Sequence, residues 1–376
     1  MGCNPCENVE SEPQFDFDGT NNKIQSKKTN QSFYNFQNLF EENLPKLGEK
    51  FSENEFNSVI PMEIKNYMSQ HPLKKDSKYD KIPHTYGAEP IQFNNGNIYK
   101  GNWNNDLKMD GPGIYYLKED KILAQGNWDN GECKFARVFQ PNGDIYEGEL
   151  KDSKFNGKGK LISANEEVYE GDFVDGEKTG YGKITFPDQA VYEGYLEKGE
   201  LKGKGKMTWI NGYEYTGEFD RSALNGKGKL LKNNGDVYEG DFLNNLFHGN
   251  GKYTFNRSGN EYDGEFQYGM KKGKGTFTAK DEYIYTGNWD NDLPCGIGKF
   301  TNLKNNAILK STWRFGKMVE EPIYEKGNED DFNSIDLSIK PEEMNLNTKE
   351  LSNLEKVDND CTQYKIGDFP SFLSNQ

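Results

Sequence analysis

The sequence has few cysteines, few histidines and no long apolar segment. No apolar run approaches the roughly 20 residues that a membrane-spanning helix needs, and no secretory signal peptide is recognisable. An odd number of scattered cysteines argues against a disulfide framework and favours a reducing, cytoplasmic compartment. The five cysteines are Cys3, Cys6, Cys133, Cys295 and Cys361.

The sequence also lacks an excess of basic charge. Its net charge is −15, and an acidic surface repels phosphate groups, so the sequence predicts no binding to nucleic acid. The charge is uneven, since residues 317–376 hold 14 acidic and 6 basic residues, whereas residues 91–316 hold 33 and 30. A hydrophobic share of only 33%, with 22 Tyr and 24 Phe, predicts a thin structure with a core of aromatic rings.

Patterns that carry chemistry are missing as well. The three histidines, His71, His84 and His248, have no Cys or Asp neighbours at metal-ligand spacing. Neither a phosphate-binding Gly-x-x-x-x-Gly-Lys-Ser/Thr loop nor a nucleophilic Gly-x-Ser-x-Gly turn occurs. The sequence therefore predicts a protein that is not an enzyme and has no catalytic residues, metal or cofactor.

What the sequence does contain is a repeat with a period of mostly 23 residues. A Tyr-x-Gly-x-aromatic motif recurs and is followed by Gly-x-Gly, and a fixed period of this length is typical of a repeat array. Two degenerate copies, Ala124–Trp128 and Leu309–Trp313, fill the gaps, and the first of them is followed by CKFARVF instead of Gly-x-Gly. The motif starts at Tyr99, Tyr146, Tyr169, Tyr192, Tyr215, Tyr238, Tyr262 and Tyr285.

Within each copy the pattern has a period of two. Tyr238, Gly240 and Phe242 fall on one side of an extended chain, and Glu239 and Asp241 fall on the other, which indicates a β-strand. Asn-Gly turn signals between the strands, as in INGY and NNGD, predict hairpins. Each repeat is thus predicted to be two antiparallel strands, with glycines leaving room for aromatic rings on the inner face and paired acids and lysines on the outer face.

The YEGDF…GKGK pattern resembles the MORN (membrane occupation and recognition nexus) repeat, and the resemblance covers Phe93 to about Phe315. It implies an all-β fold: an elongated, twisted, single-layer antiparallel sheet of about ten β-hairpin repeats with a grooved aromatic face. About twenty strands would extend for about 95 Å. Aromatic rings on a rigid platform suit a protein or peptide partner, although each ring could equally serve as core. The predicted groove residues are Tyr169, Phe173, Tyr192, Trp209, Tyr215, Phe219, Tyr238 and Phe242.

The flanks differ in composition from the array at 91–316. Residues 33–70 have helical spacing, and Ser52 with Glu55 forms a capping box, so a helical segment is expected, either as a cap on the open first edge of the sheet or as a partner-binding helix pair. Residues 1–32 are predicted to be disordered, 71–90 to be a linker, and 317–376 to be an acidic, mostly disordered tail.

The first six residues, MGCNPC, resemble the dual-acylation start of Src-family tyrosine kinases. The resemblance implies myristate on Gly2 and palmitate on Cys3 and Cys6, and two chains make membrane attachment stable. Cys6 stands where the simple myristoylation motif has Ser or Thr. The alternatives are an unmodified N-terminus, or a Cys-x-x-Cys redox or zinc site, for which the strand–helix context or further ligands are missing.

The expected function is a non-enzymatic scaffold, cytoplasmic and peripheral at a membrane, that binds a protein partner in its aromatic groove. One alternative is a structural protein of the cytoskeleton or cilium. Another is a protein that binds anionic phospholipid or tethers membranes through its Gly-Lys-Gly-Lys lysines, although near-neutral charge over 91–316 favours their pairing with neighbouring acids. An open edge at the last copy would allow two chains to pair as a homodimer.

Metabolic labelling with a myristate analogue tests the N-terminal prediction. Wild type should incorporate the label, whereas Gly2→Ala should not, because the acylated amine belongs to a glycine. Absence of label on wild type would end the acylation hypothesis.

Overall fold

The computed structural model describes residues 52–72, 89–333 and 335. They form two short helices, α1 (Glu53–Val59) and α2 (Met62–Gln70), a 3₁₀ turn (Glu329–Phe332) and 22 strands in one sheet. The first eleven strands are β1 Ile91–Gln92, β2 Ile98–Trp103, β3 Met109–Leu117, β4 Ile122–Asp129, β5 Glu132–Phe139, β6 Ile145–Lys151, β7 Lys154–Ile162, β8 Val168–Val174, β9 Glu177–Thr185, β10 Val191–Glu197 and β11 Glu200–Thr208. The others are β12 Glu214–Asp220, β13 Ala223–Leu231, β14 Val237–Leu243, β15 Leu246–Thr254, β16 Glu261–Gln267, β17 Met270–Ala279, β18 Tyr283–Asp290, β19 Leu293–Asn302, β20 Ile308–Arg314, β21 Lys317–Met318 and β22 Ile323–Lys326.

Consecutive strands pair antiparallel in chain order, so the sheet is an open meander of ten hairpins from β2–β3 to β20–β21. This confirms the prediction of an all-β, single-layer sheet. The degenerate second copy also pairs in register, from Leu123 opposite Phe139 to Asp129 opposite Glu132. Its lack of the Gly-x-Gly motif therefore does not interrupt the ladder.

In each regular repeat one tyrosine ring lies on two facing glycines, which we call its seat. Tyr192 lies over Gly194 of its own strand and Gly205 of the next, which are opposite each other in the ladder. A Cβ added at Gly194 would lie 2.3 Å from the Tyr192 hydroxyl oxygen, and one at Gly205 would lie 2.5 Å from its ring. Real Cβ atoms do not come this close, so the ring can lie flat on the backbone only because both positions are glycine.

The first glycine of each Gly-x-Gly motif has a different role. Gly203 has φ +68° with nothing within 4 Å of an added Cβ, and it lies where the β10–β11 register shifts between Gly194 and Leu196. At this β-bulge glycine is favoured because the backbone has a positive φ, and not because a neighbouring group leaves no room for a side chain. The motif thus combines a bulge glycine with a seat glycine, a distinction that the sequence alone did not reveal.

The degenerate copies show that ring and seat change together. In the second copy Ala124 replaces the tyrosine, and Ala136 replaces the glycine opposite Gly126. In the last copy Leu309 replaces the tyrosine, and Ser311 stands in the glycine position opposite Gly298. Where no ring has to lie on the backbone, a Cβ is accepted.

Helices α1 and α2 pack on the outer face of the first strands. The predicted capping box is present, with the Glu55 N–H donating to Ser52 Oγ at 3.2 Å and the Ser52 N–H donating to Glu55 Oε2 at 2.9 Å. Phe56 and Ile60 are buried in a cluster with outer-face residues of β2 to β6. The expectation of a cap on the first edge is therefore corrected: the helices cover a face, and the short strand β1 pairs with the edge strand β2.

Polar contacts join both ends of the helix pair to the sheet. Lys100 of β2 pairs with Glu53 at 2.5 Å. The buried Arg137 of β5 donates to the carbonyl oxygen of His71 and pairs with Glu147 at 2.5 Å. Of the predicted helical segment, residues 33–51 lie outside the described part of the chain, as do residues 73–88 of the linker.

The C-terminal end of the array extends beyond the predicted boundary at 316. Strand β22 pairs with β20, and Glu325 bridges Lys299 and Lys310. Phe332 of the 3₁₀ turn is 4% exposed and packs in the main core. The sheet thus ends at Lys326 with a short closing strand, and the predicted tail covers fewer residues than 317–376, of which 334 and 336–376 lie outside the described chain.

The two glycine roles predict different mutational costs within one motif. Gly205→Ala should lower the free energy of unfolding by about 2–4 kcal/mol, because it forces the Tyr192 ring off its seat. Gly203→Ala, the matched control, should cost only about 1–2 kcal/mol of backbone strain. Urea unfolding of both variants measures this, and a larger loss for Gly203→Ala would contradict the seat model.

Candidate partner-binding groove

The inner face of the sheet carries a ladder of aromatic rings. Tyr238 meets Phe242 of its own strand at 5.1 Å between ring centroids and Phe266 of the next repeat at 5.2 Å, both edge to face. Tyr215 makes the same two contacts with Phe219 and Phe242. Pairs of this geometry add about 0.5–1.5 kcal/mol each beyond burial, so neighbouring repeats are coupled through shared rings.

Seven of the eight motif tyrosines donate their hydroxyl to a backbone carbonyl, and the buried hydroxyl of Tyr285 has no hydrogen-bond partner among the described residues. Tyr215 donates to the carbonyl oxygen of Glu218 at 2.9 Å, and Tyr192 donates to that of Tyr195 at 2.8 Å. Burial raises the pKa of Tyr169 and of Tyr192 to about 12. These phenols therefore remain neutral donors at any physiological pH and act as structural groups, not as acids or bases.

Most of the predicted groove residues lie in the floor of this ladder. Seven of the eight are between 0% and 3% exposed, and only Trp209 is partly exposed. A partner on this face would meet Trp209 directly and the other rings only through the residues that cover them. The seven buried residues are Tyr169, Phe173, Tyr192, Tyr215, Phe219, Tyr238 and Phe242.

On the inner face, partly exposed aromatic rings lie in a row along one rim. Trp209 precedes an Asn-Gly turn, with its N–H bonded to the Tyr213 carbonyl. Phe186 and Phe255 occupy the same turn-opening position in their repeats and are likewise partly exposed and packed against the core. Between Trp209 and Phe255 that position holds Lys232, whose ammonium lies 5.7 Å from the Tyr253 ring centroid. We call these four residues the rim row.

Of the rim row, sequence reasoning identified only Trp209. A usable signal was present, since an inward-facing aromatic residue stands directly before the turn in TFPDQ, TWING and TFNRSG. The signal was missed because the motif tyrosines dominate the pattern, while exposure depends on packing between repeats that a single motif does not show.

Lysines of the Gly-Lys-Gly-Lys segments lie on the outer face in ion pairs. Lys158 pairs with Asp172 and Lys227 with Asp241, each at 2.6 Å. Lys160, Lys206 and Lys229 also pair with acids of an adjacent strand, at 2.7, 3.0 and 3.6 Å. This confirms the predicted charge pairing. Exposed pairs contribute at most about 1 kcal/mol each.

One lysine is buried in the ring ladder. Lys271 is 0% exposed, and its ammonium lies 5.3–5.7 Å from the ring centroids of Phe255, Tyr262 and Trp289. Loss of hydration lowers the pKa of Lys271 to about 8, although Asp292 opposes the shift. Phe247 and Leu224 fill the equivalent place in earlier hairpins, so a charge occupies an apolar position here.

The part of the chain that the structure describes shows no group of three or more His, Cys, Asp or Glu arranged to hold a metal ion. Neither described helix is long and apolar enough to span a membrane. The predicted lipidation residues Gly2, Cys3 and Cys6 lie outside the described residues.

Comparison with known families agrees with the repeat geometry. The model described as "MORN repeat" matches eight segments, at residues 99–118, 146–168, 169–191, 192–212, 215–237, 238–259, 262–281 and 285–302. These matches support the MORN repeat family. The two degenerate copies fall outside the matched MORN segments, as expected where the tyrosine and its glycine seat are replaced.

Further comparisons add no functional argument. No curated protein matches the chain. Among solved structures, the SAS-4 (dCPAP) TCP domain of Drosophila melanogaster, in complex with a proline-rich motif of Ana2 (dSTIL), is 14% identical; the alignment covers 49% of this chain and 99% of that one, with a TM-score of 0.28. The TCP10 domain of Danio rerio CPAP is also 14% identical, covering 63% and 99%, with a TM-score of 0.27. At such low TM-scores the likeness carries no conclusion for this chain.

The buried Lys271 predicts a pH-dependent stability. Below pH 8 the buried ammonium is charged and opposes folding. Between pH 8 and the ordinary lysine pKa of 10.5, Lys271 is deprotonated in the folded protein but still protonated in the unfolded chain. The free energy of unfolding therefore rises with pH in this range. Lys271→Met should therefore stabilise the protein by about 2 kcal/mol at pH 7.

That gain should shrink as the pH approaches 9.5, which urea unfolding at several pH values measures. The neighbouring Lys272, which is half exposed and 3.9 Å from Asp290, provides the control Lys272→Met, expected to change stability little at any pH. An effect of Lys271→Met that is independent of pH would contradict this account.

Proposed function

We propose that this chain is a non-enzymatic MORN-repeat scaffold, held at a cytoplasmic membrane face by acyl chains on Gly2, Cys3 and Cys6, that binds a protein partner on its inner face. The observation that carries the partner site is the rim row, in which Phe186, Trp209 and Phe255 present partly exposed rings at the same position of their repeats. Successive repeats are two strands apart, about 9.6 Å, so an extended peptide could contact two or three of them.

The ladder beneath the rim row contributes rigidity. Its rings contact one another between repeats, and seven of the eight motif hydroxyls donate to the backbone, so the rim side chains need little ordering when a partner binds. In this proposal Trp209 is the central contact, and Tyr215, Phe219, Tyr238 and Phe242 are the floor that holds it.

Membrane attachment is assigned to the N-terminus and not to the sheet. The outer-face lysines are engaged by acids, so they offer no cation excess to an anionic headgroup. The MGCNPC start is the feature that supports acyl attachment, and the labelling of Gly2→Ala tests it independently of the groove.

The groove is tested by affinity capture from the source cells with quantitative mass spectrometry. Trp209→Ser should lose the proteins that wild type enriches, because the central ring contact is removed. Ile210→Ser, at the adjacent turn residue that is 69% exposed, is the matched control and should retain them. Both variants should keep the melting temperature of wild type. An unchanged set of partners with Trp209→Ser would overturn the groove assignment.

A further inference from the structure

The strand register aligns a row of mostly apolar residues on the outer face, opposite the rim row. In β2 to β6 the row runs through pairs such as Ile98–Tyr116 and Leu123–Phe139 to Ile145. It continues into β7, where Ile162 lies opposite Ile145, and it includes one threonine, Thr185 of β9. We call the first part, Ile98, Tyr116, Leu123, Phe139 and Ile145, the covered stripe, and the continuation over β7 to β10, Ile162, Val168, Thr185 and Val191, the open stripe.

The covered stripe is occupied by the helix pair α1–α2. Phe56 and Ile60 are 1% and 5% exposed against Ile98, Leu123 and Phe139. The contact thus shows which kind of element fits this surface: a short amphipathic helix lying across the strands. Beside the covered stripe, the carboxylate of Glu53 pairs with Lys100, which lies in the next row of outer-face residues.

The open stripe has the same chemistry without a helix on it among the described residues. Ile162, Val168 and Val191 are partly exposed. Lys160 and Lys183, which lie in the same outer-face row as Lys100, flank it in ion pairs with Glu170 at 2.7 Å and with Glu193 at 3.2 Å. The stripe ends where Thr208 faces Glu214.

A second feature makes the outer face more apolar beside the open stripe. Tyr181 of β9 lies opposite Tyr195 of β10, with ring centroids 5.5 Å apart, and each is 54% exposed. In the preceding hairpin pair the same register position holds the ion pair of Lys158 and Asp172. An exposed aromatic pair has replaced a charge pair at this end of the stripe.

We propose that the open stripe binds an amphipathic helix of a partner protein, placed end to end with α1–α2 and extending the same interface. Four strands at about 4.8 Å span about 14–19 Å, which corresponds to a helix of about 10–13 residues. The helix would carry apolar side chains at i, i+3, i+4 and i+7, facing the stripe.

The test uses the full chain and a labelled synthetic peptide with the sequence of residues 52–72, which has the required chemistry. In fluorescence anisotropy, wild type should bind the peptide saturably. Val168→Glu and Val191→Glu should each weaken binding at least about tenfold. Thr254→Glu, in the same register row but beyond the stripe, is the matched control and should bind like wild type.

Circular dichroism and melting curves check that the variants fold. Val168→Thr keeps the side-chain shape and should weaken binding in the same direction, so the test does not depend on the glutamate variants. No binding to wild type, or binding unaffected by Val168→Glu, overturns the proposal; the latter would mean that the peptide only displaces its own copy from the covered stripe.

Two further outcomes would assign another occupant and also overturn the partner helix. Binding that requires deletion of residues 336–376 would assign the stripe to this chain's own C-terminal segment. Sedimentation velocity that shows a dimer in wild type and a monomer in Val168→Glu would assign it to a second copy.

Discussion

A tyrosine ring lying flat on two facing glycines determines the geometry of every regular repeat. The ring needs one glycine two residues on in its own strand and another directly opposite in the next strand, as Tyr192 does with Gly194 and Gly205. Both conditions hold only if the hairpin keeps its register. The seat therefore fixes the pairing of the two strands, and the ring in turn provides the edge-to-face contact to the following repeat.

The ring is missing in the second and in the last copy, whereas the first repeat keeps Tyr99 over Gly101 and Gly113. In the second copy Ala124 and Ala136 close the gap that a ring would fill. At the C-terminal end Leu309 and Ser311 replace the ring and its seat, and β22 with Phe332 closes the sheet. In the last copy, packing from outside the repeat pattern thus takes the place of the lost ring contact.

Local sequence predicted the features that depend on local geometry. The period, the hairpins, the alternation of faces, the packing role of glycine and the capping box of Ser52 all follow from neighbours within a few residues. The placement of α1 and α2 could not be predicted in this way, because the covered stripe is assembled from Ile98, Leu123 and Phe139 on separate strands. The exposure of Trp209 beside the buried Tyr215 likewise depends on packing between strands and not on the local motif. The C-terminal boundary was missed because β22 carries no repeat motif.

The one long spacing in the regular part of the array shows where the chain can accept an extra residue. From Tyr238 to Tyr262 the spacing is 24 residues, and the extra residue lies in the turn. There the N–H of Phe255 donates to the carbonyl oxygen of Asn260, five residues on, whereas the N–H of Trp209 donates to that of Tyr213, four residues on. An insertion within a strand would reverse the two faces and lift the ring from its seat. The length of the array along the sheet therefore increases only when a whole hairpin is added. Each added hairpin contributes about 9.6 Å.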